Sequence, residues 1–152
     1  KMAAGLKVST KLIKKFEDYL IKKFNNYDQL FFRKIYYYDL IITLEQVNLN
    51  LIENIEKMEP FGKGNQEPKF IIKEVIVEHI KIIKEKHILV FIRDNFNNSF
   101  KAVCFNCVNN ELGENFLKSK IRKFDIACTI KRDNFSSSLK PQIIIKDAII
   151  NN

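Results

Sequence analysis

The sequence predicts an α+β chain: a helix–strand–helix segment, then a small closed barrel of five strands with one helix between the third and fourth. Three observations carry this. Apolar residues recur at 3.6-residue spacing on both sides of one strand-like run, up to residue 58. From Lys69 onward the pattern changes to alternation broken by turn residues. Between the two lies Lys57–Phe70, KMEPFGKGNQEPKF, with two prolines and two glycines in a sequence otherwise rich in Ile, Lys and Asn.

Taken in order, Ser9 or Thr10 can cap a helix with Leu12, Ile13, Phe16, Tyr19, Leu20 and Phe24 on one stripe. Lys14, Lys15, Lys22 and Lys23 fall mostly off it, on a solvated face. Tyr36–Thr43 is β-branched and aromatic and predicts a strand. A second helix has Val47, Leu51, Ile52, Ile55 and Met58 on one side, capped through Thr43 and Gln46 or through Asn50 and Glu53. It stops at Pro60, which donates no backbone hydrogen bond and biases Glu59 away from helical angles. Gly62 and Gly64 permit positive φ, so Phe61–Asn65 should fold back sharply before Pro68 stiffens the exit. The predicted organisation is 1–58, a junction at 59–70, and a barrel at 71–152.

In the barrel, Val75 and Val77 set one alternation and Ile80 and Ile82 the opposite, which predicts a bulge near Glu78-His79. His87–Asp94 is a second strand, with Ile88, Val90 and Ile92 on one face and His87, Leu89, Phe91 and Arg93 on the other. Asp94–Asn98 is a hairpin signal and Ser99–Asn106 a third strand. Asn109–Lys120 predicts a short helix interrupted by Gly113, with Leu112, Phe116 and Leu117 inward. Phe124–Asp133 buries Phe124, Ile126, Cys128 and Ile130. After the polar loop Asn134–Lys140, Pro141 leads into a last strand with Ile143, Ile145 and Ile149. Three strands, a helix and two strands, with a bent first strand, is the order expected of an OB fold.

Composition narrows the function. At 46% hydrophobic and 29% charged residues the chain is globular. Its net charge of +8 favours a polyanionic partner. Residues 1–50 carry nine Lys or Arg against five Asp or Glu, and 73–152 carry fourteen against nine, whereas 51–72 carries three against four. A polyanion is therefore expected on the flanks of the junction. Three cysteines do not make a secreted disulfide framework and suit a reducing cytoplasmic setting. No apolar run reaches membrane-spanning length, so no membrane partner is expected.

No catalytic constellation or metal site is predicted. Cys104 and Cys107 have the spacing of a metal knuckle. Only Cys128, His79 and His87 remain to complete it, and on a strand positions 104 and 107 point to opposite faces. Buried thiols are the expectation. For strand binding, Lys84, Lys86, Arg93, Lys101, Arg132 and Lys140 are the candidate phosphate contacts, and His87, Phe91, Phe105 or Phe135 a stacking surface. Phe91 and Phe105 are expected to be more buried than exposed, which favours Phe135 in its Ser-rich loop.

The order Glu59-Pro60-Phe61-Gly62-x-Gly64-Asn65-x-Glu67-Pro68-x-Phe70 resembles the junction of the RecJ family, single-strand-specific 5′→3′ DNA exonucleases of the DHH phosphoesterase superfamily. Met2-Ala3-Ala4-Gly5 is similar to the segment that follows a Gly-Gly-His triplet in that family. Gln66 departs from the usual proline and loosens the turn. The resemblance implies that residues 1–58 end a DHH-associated domain and that the OB domain follows. It also implies a parent enzyme of DNA repair and recombination that hydrolyses phosphodiesters with manganese or magnesium. The metal site, in an N-terminal DHH domain, and the triplet are absent from this sequence, which opens without an initiating methionine and is expected to be part of something longer. The implied partners are single-stranded DNA, that catalytic domain and a single-strand-binding protein. The competing readings are an OB module for protein interaction or structure, and an RNA-binding OB protein.

Overall fold

The computed structural model describes residues 5–28, 35–118, 123–133 and 140–151. Contacts divide the chain into two units, 1–35 and 36–152. The first contains a 3-10 turn, Thr10–Leu12, running into helix α1, Ile13–Phe24. Ser9 precedes the turn in extended conformation, and its side chain makes no capping bond. None of the α1 residues is buried.

The second unit begins with strand β1, Leu40–Ile42, much shorter than the predicted 36–43. Helix α2, Leu49–Glu56, is capped by Asn48, whose side chain accepts from the Leu51 amide at 3.0 Å. Neither predicted capping pair is used. The Thr43 amide instead donates to Gln46 Oε1 at 2.9 Å, closing a separate turn ahead of the helix. Ile52 and Ile55 of α2, with Val47, join the barrel's core, whereas Met58 is exposed. The break in contacts thus falls after residue 35, ahead of β1 and α2, although composition changes only at the junction.

Strands β2 (Phe70–Ile83), β3 (His87–Arg93), β4 (Ser99–Cys104), β5 (Lys123–Arg132) and β6 (Pro141–Asn151) close a barrel in the order β2-β3-β4-β6-β5, with β5 returning to β2. The β4–β6 pair is parallel and the other barrel pairs are antiparallel. β1 adds to β2 in parallel through Leu40–Phe70, Ile41–Ile71 and Ile42–Ile72. Three helices accompany the six strands among the described residues, and the architecture is that of an OB fold.

The long β2 serves two sides of the barrel because its register slips twice. Between Ile72 and Val75 the slip faces β5 and places Glu74 at φ 55°. Between Val77 and His79 it faces β3, at the predicted bulge. The second slip reverses parity, so Ile80 packs on the core while His79, Lys81 and Ile83 turn to the other face.

Helix α3, Glu111–Lys118, runs straight through Gly113. A Cβ there would lie 1.8 Å from the Cys107 carbonyl oxygen, so glycine is present for close approach and not as an interruption. Phe116 is buried against Phe124 at 5.1 Å between ring centroids, whereas Leu117 is exposed. Ile149 is also exposed. The β5–β6 register slips between Ala127 and Cys128, and past that point Ile150 takes the inward position.

Candidate nucleic-acid interface

The junction is ordered by backbone pairing. Gly62 and Asn65 exchange amide–carbonyl bonds at 2.8 and 3.2 Å, and the Asn65 side-chain amide donates to the Met58 and Pro60 carbonyls at 2.8 and 3.0 Å. Only Gly64 has positive φ, at 90°; Gly62 does not use that freedom. Phe61 packs against the core, and Pro60, joined to Glu59 by a cis peptide bond, and Pro68 frame the fold-back.

Across the barrel, the outward parity of β3 and β4 makes one continuous face. Cross-strand pairs set it in rows: Ile83 beside His87; Lys81 beside Leu89 and Val103; His79 beside Phe91 and Lys101. Leu89 and Val103 are buried and form an apolar floor. A concavity of about 340 Å³ opens on this face, lined by residues that include Lys84, His87, Leu89, Lys101, Val103 and Phe105.

The turn at its edge is held in an unusual conformation. Lys84 and Glu85 both have positive φ, 49° and 57°, and the Lys86 amide closes on the Ile83 carbonyl at 3.2 Å. Such a turn matches the twist of the strands but is normally made with Gly or Asn. It leaves Lys84 and Lys86 as exposed side chains, with Lys84 at the concavity. Among the described residues neither makes an ion pair, nor does Lys81. Lys101 reaches Asp133 only at 3.9 Å.

His87 is fixed by the next turn. The Asn106 amide donates to its Nδ1 at 3.0 Å, which leaves Nε2 to carry the ring hydrogen. Phe105 meets the His87 ring edge-on at 5.2 Å and is 46% exposed, although the sequence places it in the core. Phe91, half-buried, packs against His79 at 5.6 Å. Cys107 Sγ donates to the Cys104 carbonyl at 3.1 Å beneath this turn. Both thiols are buried, and burial pushes the Cys104 thiol up; burial likewise raises Cys128 to about 12. Among the described residues no three His, Cys, Asp or Glu side chains are grouped to hold a metal ion.

The structure does not bring all the predicted residues together. Lys84, His87 and Lys101 meet at the concavity, whereas Lys86 lines a separate recess with Asn106, Val108 and Asn109. Arg93 lies on the same face but is engaged: Nε donates to Glu78 at 2.8 Å, and Nη1 to Asn97 Oδ1 at 3.1 Å. Arg132 is also engaged, donating to both Glu56 carboxylate oxygens at 2.9 and 2.8 Å in a recess between α2 and β5. Lys140 is exposed, and its carbonyl accepts from the Asp133 amide. Phe135, with the rest of 134–139, lies outside the described residues. Sequence reasoning missed Lys81 and His79 as part of this surface. Continuing the outward parity across the bulge would have found both.

A family model described as the RecJ OB domain matches residues 38–147. The single-stranded-DNA-specific exonuclease RecJ of Bacillus subtilis (strain 168) is 25% identical over 114 residues, 74% of this chain but 14% of that protein's length. Among solved structures, an OBody bound to hen egg-white lysozyme is similar with a TM-score of 0.49 and 12% identity, over 79% of this chain and 97% of that one. A mitochondrial single-stranded DNA binding protein from S. cerevisiae gives 0.40 and 19%, over 54% and 90%. These structural likenesses are too distant to bear on what the chain binds. No helix among the described residues is long and apolar enough to cross a membrane.

Proposed function

Because this chain belongs to the RecJ OB domain family, we propose that it is the strand-binding part of a RecJ-type single-strand-specific 5′→3′ DNA exonuclease. Phosphodiester hydrolysis, and the manganese or magnesium that serves it, belong to an N-terminal catalytic domain of the full-length enzyme, with the residues ahead of β1 ending the domain between. The setting is cytoplasmic, in DNA repair and recombination, with a single-strand-binding protein as a further partner.

The observation that carries this reading is the β3–β4 face, where unpaired lysines border an apolar floor and half-exposed rings. Lysines attract the phosphate backbone and release its counterions, and rings take the faces of unpaired bases. In duplex DNA those base faces are already stacked, which is the physical basis for preferring a single strand. A fluorescent single-stranded oligonucleotide titrated across a salt series, beside duplex DNA and RNA of equal length, tests it. Unpaired DNA should bind best, with affinity falling as salt rises. Weak and equal binding of all three would sink the reading, and tighter binding of RNA would make this an RNA-binding OB domain.

One observation favours an interaction module as the second reading. Phe96 is 84% exposed on a tightly bonded hairpin, where Asp94 Oδ1 accepts the Phe96 and Asn98 amides at 2.8 and 2.9 Å. It borders a concavity of about 490 Å³ floored by residues such as Ile42, Leu44 and Ile72. On that reading Phe96→Ala would abolish docking of the partner while leaving DNA affinity unchanged.

A further inference from the structure

We propose that the β3–β4 face holds two bases of an unpaired strand at once, on two imidazole–phenyl platforms separated by a stretch that stacks none. This rests on the strand-binding reading and gives it a register.

The first platform is His87 with Phe105, the second His79 with Phe91. Along β3 they are four residues apart, from position 87 to 91, or about 13 Å at strand rise. Between them the row Lys81–Leu89–Val103 is apolar at its centre and has no ring. A base there meets a floor but no flat partner.

Both platforms are accessible and held. Phe105 is 46% exposed and His79 is exposed, while the Asn106 amide orients the first imidazole and the Phe91 ring abuts the second. The bulge between Val77 and His79 is what delivers the second platform, since without it His79 would point to the core side. Lys81 on the β2 side and Lys101 on the β4 side flank the line joining the two ring pairs, at positions suited to the connecting phosphates.

The test uses single-stranded oligonucleotides no longer than the face, each with one abasic residue moved stepwise along the strand. With the unaltered protein, affinity should drop about ten-fold at two positions a fixed number of nucleotides apart, and little between them. His87→Ala with Phe105→Leu should erase the penalty at one of these positions only, and His79→Ala with Phe91→Leu at the other only. Leucine keeps the apolar bulk of each phenylalanine while removing the ring. If a leucine variant fails to fold, the single exchanges His79→Ala and His87→Ala carry the same position-specific readout. A uniform penalty at every position, or one variant erasing both, overturns the proposal while leaving strand binding intact. Failure of the unaltered protein to bind single strands would instead remove the reading beneath it.

Discussion

In the recess between α2 and β5, each cation faces a carboxylate: Arg132 holds Glu56 through two hydrogen bonds, and Lys131 lies 3.1 Å from Glu67. Across β3 and β4 the cations Lys81, Lys84 and Lys86 face none among the described residues. The residue types are the same, and the net charge of +8 does not distinguish the two places. What distinguishes them is whether the chain has already supplied the anion. A paired guanidinium ties α2 to the barrel, whereas an unpaired lysine over an apolar floor is available to a ligand's anion. The two concavities are also held differently. Ion pairs on the surface fasten the recess, where salt screens them. The open face depends on close packing beneath it.

That last difference gives the largest expected effect. The turn carrying Phe105 and Asn106 rests on Cys107, whose carbonyl oxygen sits where a Cβ at Gly113 would be. Gly113→Ala forces this turn or α3 to move and should cost about 3 kcal/mol of stability. It should also loosen His87, which is oriented by the Asn106 amide. Chemical denaturation with a parallel oligonucleotide titration measures both. Wild-type stability would show that the helix shifts freely and that the face does not depend on it.

Next in size is the charge itself. Replacing Lys81, Lys84, Lys86 and Lys101 by alanine should flatten the dependence of log affinity on log salt by about 0.7 for each phosphate left without its lysine. The paired exchange Lys131→Ala with Arg132→Ala should leave the slope unchanged. Equal flattening by both sets would mean that diffuse charge, not the open face, attracts the strand.

Much of this was legible in the sequence, and the failures share a cause. Strand order, the bulge at Glu78-His79, the Asp94–Asn98 hairpin and the buried set Phe124, Ile126, Cys128 and Ile130 follow from alternation and turn residues, which are local signals. That Ile150 and not Ile149 turns inward depends on the slip between Ala127 and Cys128, which the neighbouring strand sets. The availability of Arg93 and Arg132 also could not be read locally, since Glu78 and Glu56 are brought to them from 15 and 76 residues away. Lys81 and His79 were within reach, because the bulge that turns them outward was itself predicted.

The Arg132–Glu56 pair gives a test read in the acid range. The hydrogen bond from Arg132 holds the Glu56 carboxyl below its ordinary value of 4.5. A carboxyl depressed in the folded chain stabilises above its unfolded value, and that contribution is lost as pH falls through the lower folded value. Glu56→Gln should therefore be less stable than the parent at neutral pH and converge with it in acid. A constant difference across the acid range would mean that the exchange acts through something other than the ion pair.

The smallest effect lies at the edge of the open face, where Glu85 takes a left-handed conformation that glycine adopts without strain. Glu85→Gly should raise stability by about 0.5 to 1 kcal/mol, since the native backbone already favours glycine there. The same exchange removes an anion from between Lys84 and Lys86, so single-strand affinity at low salt should rise slightly and the gain should fade as salt is added. Thermal unfolding and the oligonucleotide titration separate the two effects. A gain in stability without any gain in affinity would place the strand away from this turn, and the open face would then begin at His87.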